Sequence, residues 1–171
     1  MFNKKSILKV EIISTIFIMI VGVILHFVYE WSENNIFVGM LTPINESVWE
    51  HLKLLFFPMI ITLIIGCFYE GKNYENYICA KTLGIISSMI FTVIAFYTYT
   101  GVLGESIDFM NIILFFIAVI LGQYKSYKNI ISNNYCNIKI TIVILVIITL
   151  LFIYFTFNPL NIGLFRVPGF Q

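Results

Sequence analysis

The sequence predicts an all-α fold: an integral membrane bundle of five transmembrane helices. Two observations carry this. Of 171 residues, 60% are hydrophobic and only 11% charged, where a soluble domain carries about 25% charged residues. The apolar residues also gather into five runs of 16 to 22 residues, against the ~20 a helix needs to cross the hydrocarbon core. The runs are continuous rather than alternating, which selects helices over strands. The connections are too short for a second domain, so residues 1–171 read as one polytopic unit.

The first span is placed at Val10–Tyr29, after the basic start MFNKKSILK. It ends in HFVYEWSEN and not in a small-x-small cleavage site, so it reads as an uncleaved anchor. Its polar or small residues Glu11, Thr15, Gly22, His26 and Glu30 fall within a sector of roughly 100° on the helix. That face turns into the bundle, because an ionisable side chain facing lipid is costly. Glu11, near the inner end, either reaches the interface or pairs with a lysine. Gly22 permits close helix approach.

The second span, Leu52–Tyr69, follows the polar stretch TPINESVWEHLK. Thr42-Pro43, Asn45 and Ser47-x-x-Glu50 all carry helix-start chemistry. The helix should begin between Pro43 and Ser47 and kink at Pro58. Ser47, His51, Pro58, Thr62 and Gly66 share one face, with Glu50 and Glu46 progressively to one side. Lys53 lies nearly opposite His51 and is expected to snorkel outward. Trp31 and Trp49 read as interface aromatics.

The remaining spans are Ile78–Tyr99, Phe109–Tyr124 and Ile140–Phe157. Ser87, Ser88, Thr92 and Asn111 are expected to hydrogen-bond between helices. Tyr97, Tyr99, Tyr124, Tyr127 and Tyr135 lie near span ends, as aromatic-belt residues do.

Eight lysines (Lys4, Lys5, Lys9, Lys72, Lys81, Lys125, Lys128 and Lys139) fall on one side of a five-span chain, and only Lys53 and Arg166 on the other. The positive-inside rule then makes the N-terminus cytoplasmic and the C-terminus external, in a cell membrane. Cys67, Cys79 and Cys136 lie toward the cytoplasmic side, where thiols stay reduced, and their spacing is not that of a zinc motif. Beyond the bilayer itself, the expected partners are a small-molecule or ion ligand or another membrane protein; no nucleic-acid partner is expected.

The polar faces of the first two spans should meet near the external surface and bring His26 within roughly 10 Å of His51, as adjacent helices allow. His26, Glu30, Glu46, Glu50 and His51 would then form the rim of an external cavity between those helices. Three readings stay open. The cluster caps the bundle as a hydrogen-bond network. It binds a metal or small cation, His26, Glu30 and His51 holding a divalent metal. Or it is catalytic, with a metal-bound water and Glu50 as general base. Six external carboxylates face only two cations, so the tail NPLNIGLFRVPGFQ is expected to fold back as a lid. Leu164, Phe165 and Phe170 would anchor it and bring the Arg166 guanidinium to a carboxylate.

The stretches HFVYEWSENN, VGMLTPINESVWEHLKLLFFP and FTFNPLNIGLF together resemble a family of small bacterial multi-pass membrane proteins known only as a domain of unknown function. The resemblance covers nearly the whole chain and is strongest from His26 to Pro58. In that family the tail continues with an acidic residue, a proline and a glycine-tyrosine ending. Arg166-Val167-Pro168 departs from this. The resemblance implies a membrane location and fold and supplies no activity. The sequence thus points to an outward-facing His/Glu site that binds or passes a small ligand or ion. A metal-dependent membrane hydrolase or transferase, and a structural or regulatory subunit, are the alternatives.

Overall fold

Each apolar run folds as a helix that extends past it into the flanking polar residues. The computed structural model describes residues 4–69, 71–132 and 134–168. In order come α1 (Lys4–Trp31), the short α2 (Ile36–Gly39), the single turn α3 (Val48–His51), α4 (Lys53–Phe68), α5 (Tyr77–Leu103), α6 (Asp108–Ser132) and α7 (Ile138–Phe157), with 3₁₀ turns at Gly71–Asn73 and Gly163–Phe165. Five segments are long and apolar enough to cross a membrane; α3 and α4 together, Val48–Phe68, make the second. No strand occurs among the described residues.

Helix α5 shares its largest interface with α6, while α1 packs on α4 and α6. Small residues set these distances. A Cβ on Gly84 would come within 2.5 Å of the Gly122 carbonyl, and one on Gly122 within 2.9 Å of the Gly84 carbonyl. The two backbones therefore touch, as small-residue helix pairs do. Gly22 plays the same part for α1, where an added Cβ would lie 2.9 Å from the Leu54 carbonyl. That carbonyl is the one whose helical partner would be residue 58, a proline with no N–H. Helix α4 contains Pro58, and α3 joins α4 at Leu52, whose backbone stays right-handed helical (φ −61°, ψ −23°).

Helix α3 begins at the N-cap Ser47, whose side chain accepts from the Glu50 N–H (3.4 Å). Only this half of the expected capping box forms. The Ser47 N–H goes to Asn45 Oδ1 (2.9 Å), and the Glu50 carboxylate turns elsewhere.

It turns to Lys53. The expectation that Lys53 snorkels outward is corrected: its side chain is 0% exposed. A helical wheel gives direction only relative to its own helix, and here the 39–44 segment covers the side opposite His51. The ammonium donates to Gly39 O (2.8 Å), Thr42 O (3.2 Å) and Glu50 Oε2 (2.7 Å), so all three N–H donors are used. Glu50 also accepts from the Ile44 N–H (3.1 Å) and lies 3.0 Å from the Thr156 hydroxyl of α7. The lysine-rich end of the bundle holds a second buried pair. Lys81 of α5 reaches both oxygens of Glu11 on α1 (3.2 and 3.1 Å) and Gln123 Oε1 on α6 (2.8 Å). Glu11 thus pairs with a lysine rather than reaching the interface.

Between these polar ends lies an apolar core with Ile18, Phe56, Met59, Ile85, Val119 and Phe152 fully buried together. Trp49 is half-buried. It packs on Phe152 (4.8 Å between ring centroids), Phe155 (5.7 Å) and Phe165 (4.9 Å), while Trp31 is exposed. Of the polar residues in the spans, Asn111 accepts from the Tyr99 hydroxyl across α5 and α6, whereas Thr92 turns to the Ser88 carbonyl of its own helix (2.9 Å). The three cysteines are not all free. Cys79 and Cys136, 57 residues apart in sequence, form a disulfide that ties the start of α5 to the segment before α7, and Cys67 alone is free.

Two stability predictions follow from this packing. Lys53→Met should cost about 3–5 kcal/mol, because it strands a buried carboxylate, and adding Glu50→Gln should recover part of the loss. Thermal unfolding in detergent, with Lys72→Met as an exposed control, measures both; equal melting of Lys53→Met and wild type would refute the network. Gly22→Val should cost roughly 1–3 kcal/mol by forcing α1 off α4, whereas valine at Gly101, where nothing lies within 4 Å of an added Cβ, should cost less.

Candidate metal centre at the histidine end

The last turns of α1 and the 44–51 segment converge on three side chains. His26 and His51 stand with ring centroids 5.2 Å apart, and Glu46 reaches both. Its Oε2 is 3.3 Å from His51 Nε2 and its Oε1 is 3.9 Å from His26 Nε2. One ligand atom from each of the three lies within 4.8 Å of the others, the one such group among the described residues. Both imidazoles are partly buried and the carboxylate is more open.

Local backbone geometry fixes this arrangement. The cap at Ser47 starts α3, and one helical turn later His51 Nδ1 lies 3.0 Å from the Ser47 carbonyl. A carbonyl only accepts, so Nδ1 carries the proton and Nε2 is left facing Glu46. Glu46 itself is held by its neighbours in sequence, with Ile44 bound to Glu50 and Ser47 N–H bound to Asn45. The hydrogen bond from His51 holds the Glu46 carboxyl below its ordinary range; partial burial opposes this, and the charges of His51 and His26 add to it. Glu46 is therefore ionised at neutral pH.

The sequence-predicted set is only partly assembled. His26, His51 and Glu46 meet. Glu30 does not join them: it lies one turn, about 6 Å, further along α1 and is exposed at the helix end. The carboxylate that faces both histidines comes across from the loop, so Glu46 stands where the metal set His26, Glu30 and His51 had Glu30. Glu50 is committed to Lys53, Ile44 and Thr156.

The tail does return over this end. Phe165 packs with tilted rings against Trp49 and Phe155 (4.9 and 5.3 Å between centroids). Arg166 does not reach a carboxylate, however. It is exposed and donates to Asn161 Oδ1 (2.7 and 3.3 Å) within the tail itself. The third expected anchor, Phe170, lies outside the described residues.

A cavity of about 350 Å³ opens beside the centre, with Glu46 and His51 in its wall. It is not enclosed by the first two spans, as the sequence suggested. Leu54 and Leu55 of α4, Thr92 and Phe96 of α5, and Leu114 and Phe115 of α6 line it, with Ser106, Asp108 and Asn111 at the polar rim and Val167 and Pro168 of the tail closing one side. Gly22 draws α1 against Leu54 and Phe115, which closes the space between the first two spans. Of the three polar rim residues the sequence singled out Asn111, as a hydrogen-bonding group, and Asp108, as one of the six external carboxylates. Ser106 carries no local signal, since the α5–α6 turn alone brings it there.

Among curated proteins and among solved structures, none matches the chain. A family model described as "Family of unknown function (DUF6512)" matches residues 1–168, and the chain belongs to that family.

Proposed function

We propose that this is a multi-pass membrane protein whose externally facing histidine end binds a divalent metal ion of the zinc class through His26, Glu46 and His51. The observation that carries the reading is how the His51 ring is held. Its Nδ1 lies 3.0 Å from a backbone carbonyl, which leaves Nε2, 3.3 Å from Glu46, as the nitrogen that gives up its proton to ligate a metal. Metal-binding histidines are oriented in this way. Zinc sits about 2.0–2.1 Å from nitrogen and oxygen ligands, which places tetrahedral ligands about 3.3 Å apart. The His51–Glu46 separation is 3.3 Å to one carboxylate oxygen and the His26–Glu46 separation 3.9 Å to the other, and one ligand atom from each residue lies within 4.8 Å of the rest, so the three side chains draw together to ligate one ion.

Three protein ligands leave a fourth position for water or a ligand, as in catalytic rather than structural zinc sites. That position is what keeps the metal-dependent hydrolase or transferase as a second reading. Passage of an ion draws less support, because the apolar core separates this end from the Glu11–Lys81 pair.

Metal analysis of the purified protein tests the centre. His26→Ala, Glu46→Ala and His51→Ala should each weaken zinc binding by more than the roughly 10–100-fold that loss of an outer-shell partner costs. Glu30→Gln should leave it unchanged. Equal zinc affinity in all four variants would remove the proposal.

Orientation has a separate test. The lysine count places the N-terminus in the cytoplasm, yet the Cys79–Cys136 disulfide lies at that same lysine-rich end, and the cytosol keeps thiols reduced. The expected outcome is that reporters at residues 3 and 171 fall on opposite sides, the first cytoplasmic; alkylation of Cys79 and Cys136 in cells without added reductant shows whether the pair is opened there. A blocked pair with an external N-terminus would invert the orientation.

A further inference from the structure

We propose that the cavity beside the metal centre is a binding site for a single-chain amphiphile with a carboxylate head, its chain among α4, α5 and α6 and its head on the metal. The proposal rests on the metal reading above and adds the class of ligand. Four features of the cavity define that class.

The first is continuity. Glu46 and His51 belong both to the metal set and to the cavity wall, so the open coordination position and the cavity share a boundary. The second is the division of its surface. Leu54, Leu55, Phe96, Leu114 and Phe115 from three helices make most of its wall apolar, and besides Glu46 and His51 its polar side chains are Thr92 and the Ser106, Asp108 and Asn111 group at the α5–α6 turn. The Thr92 hydroxyl is already spent on the Ser88 carbonyl (2.9 Å). A ligand that filled this space with polar groups would find no partners for them; a hydrocarbon chain needs none.

The third feature is size. About 350 Å³ is near the lower end of small-molecule sites, which run from roughly 300 to 1,000 Å³. It suits one short chain rather than a two-chain lipid. The fourth is charge. With both imidazoles neutral, a divalent ion exceeds the single negative charge of Glu46 by one, which favours an anionic head. Asp108, the other carboxylate at the rim, is exposed, so solvent screens it. Beside it, Asn111 gives one amide N–H to Ser106 Oγ (3.1 Å), and its amide carries a second donor.

The test uses the full chain in lipid nanodiscs, loaded with cobalt(II), whose visible bands report its ligands. Decanoate and acetate are titrated, decanoate counted by its concentration in the bilayer phase. Wild type should bind decanoate at least tenfold more tightly than acetate. Leu114→Trp and Thr92→Phe obstruct the cavity from different helices. Both should retain cobalt and lose that preference. Equal affinity for the two acids, or unchanged decanoate binding in both variants, would overturn the proposal. If wild type holds no cobalt, the metal reading fails by itself. Radiolabelled decanoate on the metal-free chain then decides the cavity: binding lost in Leu114→Trp upholds the amphiphile site, and equal binding removes it.

Discussion

The Lys53 ammonium is a charge with no route to water, and much of the histidine end is arranged around it. In a low-dielectric interior each unmet donor or acceptor costs several kcal/mol. The segment between α1 and α3 holds only the short α2, so some of its carbonyls lack helical partners. Lys53 takes two of them, Gly39 and Thr42, and gives its third proton to Glu50. Glu50 in turn takes the Ile44 N–H and meets Thr156 on α7. One ion pair thereby fastens the loop, the second span and the last helix together. Glu46 lies between Ile44, held by that pair, and Ser47, the helix cap. Its place opposite the two histidines is therefore a consequence of the Lys53 network.

The same constraint operates at the other end, with Lys81, Glu11 and Gln123 joining α5, α1 and α6. The two networks flank an apolar middle. Its buried hydroxyls, Thr62 and Ser88, spend their protons on carbonyls of their own helices, Met59 O (2.9 Å) and Ile85 O (2.8 Å). Polar chemistry is therefore confined to the ends. A site at one end can hold a ligand without opening a way through the bundle, which agrees with binding better than with passage.

The helices were legible because run length and continuity are local properties. The meeting of His26 and His51 was legible because each belongs to a polar face whose direction the helical period fixes. What failed depended on the loop. Lys53 was sent outward because no wheel shows that residues 39–44 cover its side. Glu30 was preferred to Glu46 because an i,i+4 pair is visible along one helix, while an approach across a turn is not. Glu50 looked like capping-box and catalytic chemistry, and only the buried ammonium three residues on explains where its carboxylate goes. The disulfide between Cys79 and Cys136 joins positions 57 residues apart, a distance at which spacing carries no information. Arg166 was assigned to a carboxylate by charge count, but Asn161 is nearer along the chain and takes its guanidinium first.

The polar stretch before α4 thus contains two kinds of residue that composition cannot separate. Lys53 and Glu50 satisfy each other and the backbone around them, and their bonding capacity is used up. Glu46, His51 and His26 are different. His51 Nδ1 is tied to a carbonyl, but its Nε2 and the nearer Glu46 oxygen can share only one proton, and His26 stands within ion-pairing distance of the other oxygen. That space holds a proton or a metal. A metal ligated by Nε2 takes the place of that proton. Glu46 remains ionised, so the space then suits a cation that binds without competing against the Nδ1 proton. The Ser47 cap holds both ligands in position for it: the cap starts the turn that carries His51, and its carbonyl fixes which ring nitrogen is free.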